Sequence, residues 1–123
     1  MGADGALIEL ARAPGEPVLV HFWATWCGVC RAEEGTIDAL ADDHRVITIA
    51  TQSGGAAEVG RYLSERGLDF PTVVDPHGEI ARRWGVSAFP TSFVIDADGA
   101  IRNIEVGYTT SLGLRARLAL ARN

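Results

Sequence analysis

A chain of 123 residues has the length of one ordinary domain, and the sequence predicts a single domain over residues 1–123. Its formal charge is −5 and it has no run of five basic residues, which argues against nucleic-acid partners and anionic membrane surfaces. No apolar run reaches transmembrane length, so the chain as given is expected to be soluble. An export signal or anchor ahead of Met1 is left open.

The first half of the chain alternates short apolar strands with helical patterns. Residues 3–16 hold a small apolar cluster that favours a turn of helix or an edge strand. Residues 17–23 are apolar except for His21, as is typical of a central strand. A helix is predicted from Gly28 to about Ala41, and a strand over residues 45–50. This helical connection makes the two strands parallel neighbours.

The second half of the sequence predicts three more strands and three helices. A polar loop at 51–55 leads into a helix over 56–66, and a short strand at 72–74 is followed by a turn and a helix that carries Ile80 and Trp84. Residues 91–96 and 100–106 predict a β-hairpin, and residues 110–121 a final amphipathic helix. The expected fold is an α/β three-layer sandwich, with a mixed β-sheet flanked by helices.

Two cysteines, Cys27 and Cys30, are the main chemical feature of the sequence. They enclose Gly28 and Val29 where the first strand passes into the first long helix. This spacing allows a small, reversible disulfide, which would close too short a loop to stabilise the fold much. A helix N-terminus favours a thiolate, so Cys27, first in the helix and the more exposed, is predicted to attack, and Cys30 to resolve the mixed disulfide.

The same spacing also fits half of a zinc site or a ligand pair for an iron–sulfur cluster. The chain has no second cysteine pair, and its three histidines, His21, His44 and His77, are scattered along the sequence. We therefore predict no metal site and no cofactor other than a Cys27–Cys30 disulfide.

Glu33 and two tryptophans surround this motif. Glu33 follows Cys30 by three residues, which places its carboxylate on the same helical face, close enough to exchange a proton. The alternative is a solvated acid favoured by the helix dipole. Trp26 is expected to border the cysteines, while Trp23 is expected to pack in the core.

The segment FWATWCGVC, followed by VSAFPT and the hairpin FVIDADG, resembles the thioredoxin superfamily over nearly the whole chain. The stretch DPHGEIARRWGVSAFPTSFVIDADG looks most like the TlpA branch of bacterial extracytoplasmic thiol:disulfide oxidoreductases, and WCGVCRAE resembles its ScsD type. The resemblance implies that Cys27 is the nucleophile, Cys30 the resolving cysteine, Trp26 an aromatic lid and Pro90 a cis-proline that faces them. A cis bond at Pro90 would leave the Phe89 backbone free to pair with an extended substrate segment.

Four positions depart from the usual pattern of the superfamily. Val29 replaces a proline, which leaves the redox potential open; Gly35 replaces a kink proline; and Phe89 is a bulky neighbour for the cis-proline. His21 stands where a buried aspartate is usual, and Glu33 matches the helix glutamate of TlpA-like proteins. His21 is expected to be a neutral, hydrogen-bonded core residue, with a proton-relay role as the alternative.

The resemblance implies a thiol:disulfide oxidoreductase that exchanges two electrons with protein dithiols and disulfides. We expect a monomeric periplasmic or extracytoplasmic reductant, tethered to the membrane and supplied by a membrane electron donor; a cytoplasmic location is the alternative. Gly28, Val29, Trp26 and Phe89 are the expected substrate contacts. The alternative functions are an oxidant or isomerase of the same fold, or a thiol module that binds copper or zinc.

Overall fold

The computed structural model describes residues 16–122 of the chain. Its nine elements are β1 (Val18–Trp23), α1 (Gly28–Asp43), β2 (Arg45–Thr51), α2 (Ala56–Arg66), β3 (Thr72–Asp75), α3 (Glu79–Arg83), β4 (Thr91–Ile95), β5 (Ile101–Val106) and α4 (Ser111–Leu120). The element expected within residues 3–16 lies outside the described residues. The other predicted elements all occur.

The five strands form one mixed sheet in the order β3-β2-β1-β4-β5. β1 pairs in parallel with β2, and β2 with β3, while β4 runs antiparallel to both β1 and β5. β1 is the central strand and all six of its residues are buried, because helices or loops cover both faces of the sheet. The predicted mixed sheet flanked by helices is confirmed.

Two apolar cores lie on opposite faces of this sheet, because alternate residues of a strand point to opposite sides. Leu19 and Trp23 face a core shared with α1, α2 and α4, to which Ile37, Val59 and Leu114 contribute. The other core contains Val18, Val20 and Phe22 from β1, together with Ile80 from α3 and Phe93 from β4. The sheet is therefore the middle of three layers.

A few element ends differ from the expected ones by one or two residues. α1 continues to Asp43, where His44 in extended conformation ends it. Trp84 lies at the C-cap of α3 rather than inside the helix, and Gly85 follows it with φ 72°. In the hairpin, Asp96 belongs to the turn, because its carboxylate accepts hydrogen bonds from the N–H groups of Asp98 and Ala100.

Asp75 connects β3 to α3 and is almost fully buried. Its carboxylate accepts hydrogen bonds from the N–H groups of Ile80 and Ala81 at 3.1 Å, and from the Thr51 hydroxyl at 3.2 Å. The free N–H groups of a helix start need such acceptors. Asp75 thus fixes the start of α3 relative to the end of β2.

No helix within residues 16–122 combines the length and the apolar character needed to cross a bilayer.

Candidate active site

The two cysteines lie where β1 delivers the chain to the start of α1. Cys27 is the N-cap residue of α1, and its Sγ accepts a hydrogen bond from the Cys30 N–H at 3.1 Å. Both cysteines are free thiols, and Cys27 exposes 8% of its surface against 2% for Cys30. A sulfur that accepts a helix N-terminal N–H is stabilised as an anion. Cys27 is thus at the helix start and slightly more exposed than Cys30, while its role as the attacking cysteine stays a prediction.

Cys30 lies one turn into α1, within the core. Burial raises the pKa of its thiol well above the usual range, and the hydrogen bond to Cys27 and the charge of Glu33 add to the rise. Cys30 therefore stays protonated at neutral pH unless a nearby base removes its proton.

Glu33 is the candidate for the base that removes the Cys30 proton. It is fully buried on the inner stripe of α1 that also carries Cys30 and Ile37. Burial raises the pKa of its carboxyl to about 7, a rise that the hydrogen bond from the Thr109 N–H partly opposes. Only Oε2 has a partner among the described residues, the Thr109 N–H at 3.1 Å; Oε1 is buried without one. Glu33 is thus not the solvated acid that the sequence left open.

The Phe89–Pro90 peptide bond is cis, as predicted. It lies beside the nucleophile, since the Cys27 thiol donates to the Phe89 carbonyl oxygen across 3.6 Å. The Pro90 carbonyl oxygen accepts a hydrogen bond from the Gly107 N–H at 2.7 Å, which extends the ladder of β4 and β5 to the site. Residues separated by more than sixty positions in the sequence thereby meet at one sulfur.

An apolar rim surrounds Cys27 and consists of Trp26, Gly28, Val29 and Phe89. Trp26 and Val29 are 56% and 46% exposed, and Phe89 is half-buried. The rings of Trp26 and Phe89 meet edge to face with centroids 5.6 Å apart. The structure therefore brings together the residues expected to contact substrate.

His21 lies on the same face of β1 as Leu19 and Trp23. Its Nδ1 forms a hydrogen bond with the Ser92 hydroxyl at 2.8 Å, and burial lowers its pKa to about 3. The imidazole is therefore neutral at physiological pH, as expected, and the proton-relay alternative loses support. Trp23 packs between Tyr62 and Phe70, which confirms its core role.

Sequence reasoning missed two loops that support the site. In the loop after β2, the Ser53 hydroxyl accepts a hydrogen bond from the Thr25 N–H at 2.9 Å, and the Gln52 carbonyl oxygen accepts one from the Trp26 indole at 3.0 Å. Gln52 itself has a positive φ of 50°. The sequence showed this segment only as a polar loop, so nothing indicated that it holds the residues before Cys27.

The second missed loop, residues 107–109, joins β5 to α4 and contacts both Pro90 and Glu33. The signal that could have found it is Gly107, because its φ of 89° favours glycine and marks a sharp change of chain direction.

Within residues 16–122, histidines, cysteines and acids do not form a group of three or more that could hold a metal ion.

The Redoxin family model matches residues 1–116 of this chain. A thioredoxin-like protein of Haemophilus influenzae is 40% identical over 107 residues, which cover 86% of this chain and 64% of that protein. A thiol:disulfide interchange protein DsbE homolog of Paracoccus denitrificans is 40% identical over 100 residues, which cover 80% of this chain and 55% of that protein. The chain thus spans less than two thirds of the length of these two relatives.

The fold is also similar to the solved structure of the exposed lipoprotein thioredoxin Etrx1 from Streptococcus pneumoniae. The TM-score is 0.76 at 26% sequence identity, and the alignment covers 90% of this chain and 89% of the other. The expected superfamily and TlpA-like branch are confirmed, while the ScsD type stays a prediction. This chain belongs to the Redoxin family and is a TlpA-like member of the thioredoxin superfamily.

Proposed function

We propose that the protein is a thiol:disulfide oxidoreductase that exchanges two electrons with protein dithiols and disulfides through Cys27 and Cys30. The observation that carries this proposal is the position of the Cys27 sulfur. It lies 3.1 Å from the Cys30 N–H at a helix start and 3.6 Å from the carbonyl oxygen before the cis-proline. One sulfur thereby lies at a helix N-terminus, a position that favours thiolate chemistry, beside a backbone edge that can align a partner chain.

Reduction of a partner disulfide proceeds in two exchanges. The Cys27 thiolate attacks one partner sulfur, forms a mixed disulfide and releases the other partner sulfur as a thiolate. The Cys30 thiolate then attacks Cys27, which forms the Cys27–Cys30 disulfide and releases the first partner sulfur. The partner gains two electrons, and the protein becomes oxidised.

We assign Glu33 as the group that accepts the proton of the Cys30 thiol and returns it. The resolving thiol has a raised pKa and is shielded from solvent, so its proton needs a buried acceptor. A carboxyl with a pKa of about 7 is partly protonated and partly ionised at neutral pH, which suits proton transfer in both directions. Its unpartnered Oε1 is free to take that proton.

The rim of Trp26, Gly28, Val29 and Phe89 is our candidate substrate surface. Its exposed apolar side chains suit an apolar segment of a protein next to its disulfide, and the Phe89 backbone can pair with that segment as an added strand. The negative net charge disfavours nucleic acid as a partner.

For the whole protein we propose one domain over residues 1–123, a monomeric state and an extracytoplasmic location, with a membrane tether and a membrane electron donor. The resemblance to TlpA-like proteins supports this location, and the similar pneumococcal protein is described as an exposed lipoprotein. The relatives extend beyond the matched region, which leaves room for a tether in the full protein.

The reduction potential tests the proposed direction of electron flow. Equilibration with glutathione measures this potential. A reductant should have a reduction potential nearer to about −270 mV, as thioredoxin has, whereas an oxidant would have one near about −120 mV and an isomerase one near about −180 mV.

A second experiment, insulin reduction compared with anaerobic copper and zinc titration, separates catalysis from metal storage. Tight metal binding without insulin reduction would contradict the proposal.

A further inference from the structure

Residues 107–109, which we call the strap, contact two separate parts of the site. The Gly107 N–H donates to the Pro90 carbonyl oxygen at 2.7 Å, and the Thr109 N–H donates to Glu33 Oε2 at 3.1 Å. Three consecutive residues therefore join the proposed substrate edge to the buried acid.

The strap supplies the one hydrogen bond that the Glu33 carboxyl has among the described residues. The carboxyl is fully buried and Oε1 has no partner. Cys30, a titratable group on the same helix that interacts electrostatically with this carboxyl, is a neutral thiol. The Thr109 N–H lowers the pKa of the Glu33 carboxyl, so it is the dipole that stabilises the carboxylate charge.

Partner binding makes this contact more important. A protein disulfide-bonded to Cys27 would cover the site and exclude water, which disfavours a buried charge still further. Yet this is the state in which Cys30 must lose its proton.

We propose that the strap is a positioning element that keeps Glu33 able to act as a base while a partner covers the site. This inference rests on the proposed function. In the mixed disulfide, the proton of the Cys30 thiol moves to the Glu33 carboxylate. The Cys30 sulfur then forms the bond to Cys27, and the bond between Cys27 and the partner breaks, with the electron pair leaving on the partner sulfur.

Tyr108 places the strap within reach of the partner. Its side chain is 54% exposed, and it lies between the two anchored residues, Gly107 and Thr109. A partner chain docked along Pro90 would therefore contact Tyr108 and hold the strap against Glu33.

Thr109→Pro tests the inference, because proline removes the N–H, whereas Thr109→Ala keeps it and is the matched control.

The probe is 5,5′-dithiobis(2-nitrobenzoate), which forms a mixed disulfide with Cys27. Cys30 then expels the second thionitrobenzoate, and stopped-flow absorbance follows this release from pH 5 to 10. We expect the midpoint of the Thr109→Pro profile to rise by about one pH unit, equivalent to an about tenfold loss of carboxylate at a given pH below the midpoint. Thr109→Ala should follow the wild type.

Two further variants separate positioning from general damage. In a Glu33→Gln background, Thr109→Pro should produce no further change in the profile, because the strap acts through the carboxyl. Gly107→Ala keeps every N–H but strains the strap at its positive φ, and should shift the midpoint in the same direction by less. This variant supplies the answer if Thr109→Pro does not fold.

An unshifted midpoint in folded Thr109→Pro, or equal shifts in Thr109→Pro and Thr109→Ala, would overturn the proposed role of the strap. If Thr109→Pro does not fold, an unshifted Gly107→Ala profile would overturn it. A wild type that releases no second thionitrobenzoate would instead overturn the proposed function, and with it the proposed role of the strap.

Discussion

The backbone N–H of Cys30 donates to the sulfur of Cys27, 3.1 Å away, so the residue that we propose to resolve the mixed disulfide contacts the sulfur that we propose to attack. The two cysteines differ in environment although only two residues separate them. Cys27 caps the helix and is 8% exposed, while Cys30 is 2% exposed and interacts electrostatically with Glu33. The chemical roles that we propose for the two cysteines rest on this difference of one helical turn.

The first prediction concerns trapping of partners. Cys30→Ser should accumulate mixed disulfides through Cys27, because the resolving sulfur is absent, while Cys27→Ser should accumulate few. Mass spectrometry of complexes recovered from cells that express each variant measures this. Alkylation of the reduced wild type followed by peptide mapping is the control, and preferential labelling of Cys30 would reverse the assignment.

The second prediction concerns the stability cost of Glu33. Its pKa is about 7 in the folded protein against 4.5 for an ordinary glutamate, so folding favours the protonated form. The wild type should therefore lose stability as the pH rises from 4.5 to 7, where the unfolded chain ionises first. Glu33→Gln should lack this loss and be more stable than the wild type at pH 8, by on the order of 1–3 kcal/mol.

Urea denaturation of the wild type and of Glu33→Gln at pH 4 and pH 8 measures this difference. The gain should appear at pH 8 and vanish at pH 4, where both side chains are neutral. Equal gains at both pH values would show that packing, rather than charge, separates the two proteins.

The third prediction assigns His21 to stability. Its pKa is about 3 when folded against 6.5 for an ordinary histidine, so the wild type should lose stability as the pH falls from 6.5 towards 3. His21→Asn should reduce this acid sensitivity. At pH 7 it should cost about 1–3 kcal/mol, because it disturbs the buried hydrogen bond to Ser92.

The exchange rate of His21→Asn at pH 7 should stay within about threefold of the wild type, since a neutral imidazole supplies no proton there. Ser92→Ala is the matched control for the hydrogen bond. A large rate loss in His21→Asn, together with an unchanged pH profile in Glu33→Gln, would transfer the proton role to the histidine.

The fourth prediction tests Asp75 at the start of α3. Asp75→Ala should lower the free energy of unfolding by about 2–4 kcal/mol, because two backbone N–H groups and the Thr51 hydroxyl lose their acceptor in a buried place. Thermal denaturation measures the loss. Asp42→Ala, on the exposed surface of α1, should change stability by less than about 0.5 kcal/mol. Equal effects of the two changes would contradict the role of Asp75.

The sequence by itself determined the elements, the sheet class and the cysteine pair, because these depend on local patterns. The apolar run before Cys27 specifies the central strand, and the three-residue step from Cys30 to Glu33 places both on one helical face. The resemblance supplied the cis-proline, which the structure has at Phe89–Pro90.

Only the tertiary structure decided which groups meet at these residues and how deeply they are buried. Glu33 lies 76 positions from Thr109, and no sequence period indicates that this N–H becomes its hydrogen-bond partner. The raised pKa of Glu33 and the lowered pKa of His21 both arise from desolvation, which depends on every layer packed around a side chain. Local pattern therefore identified the candidate reacting residues, and packing set the protonation of Cys30, Glu33 and His21 at neutral pH.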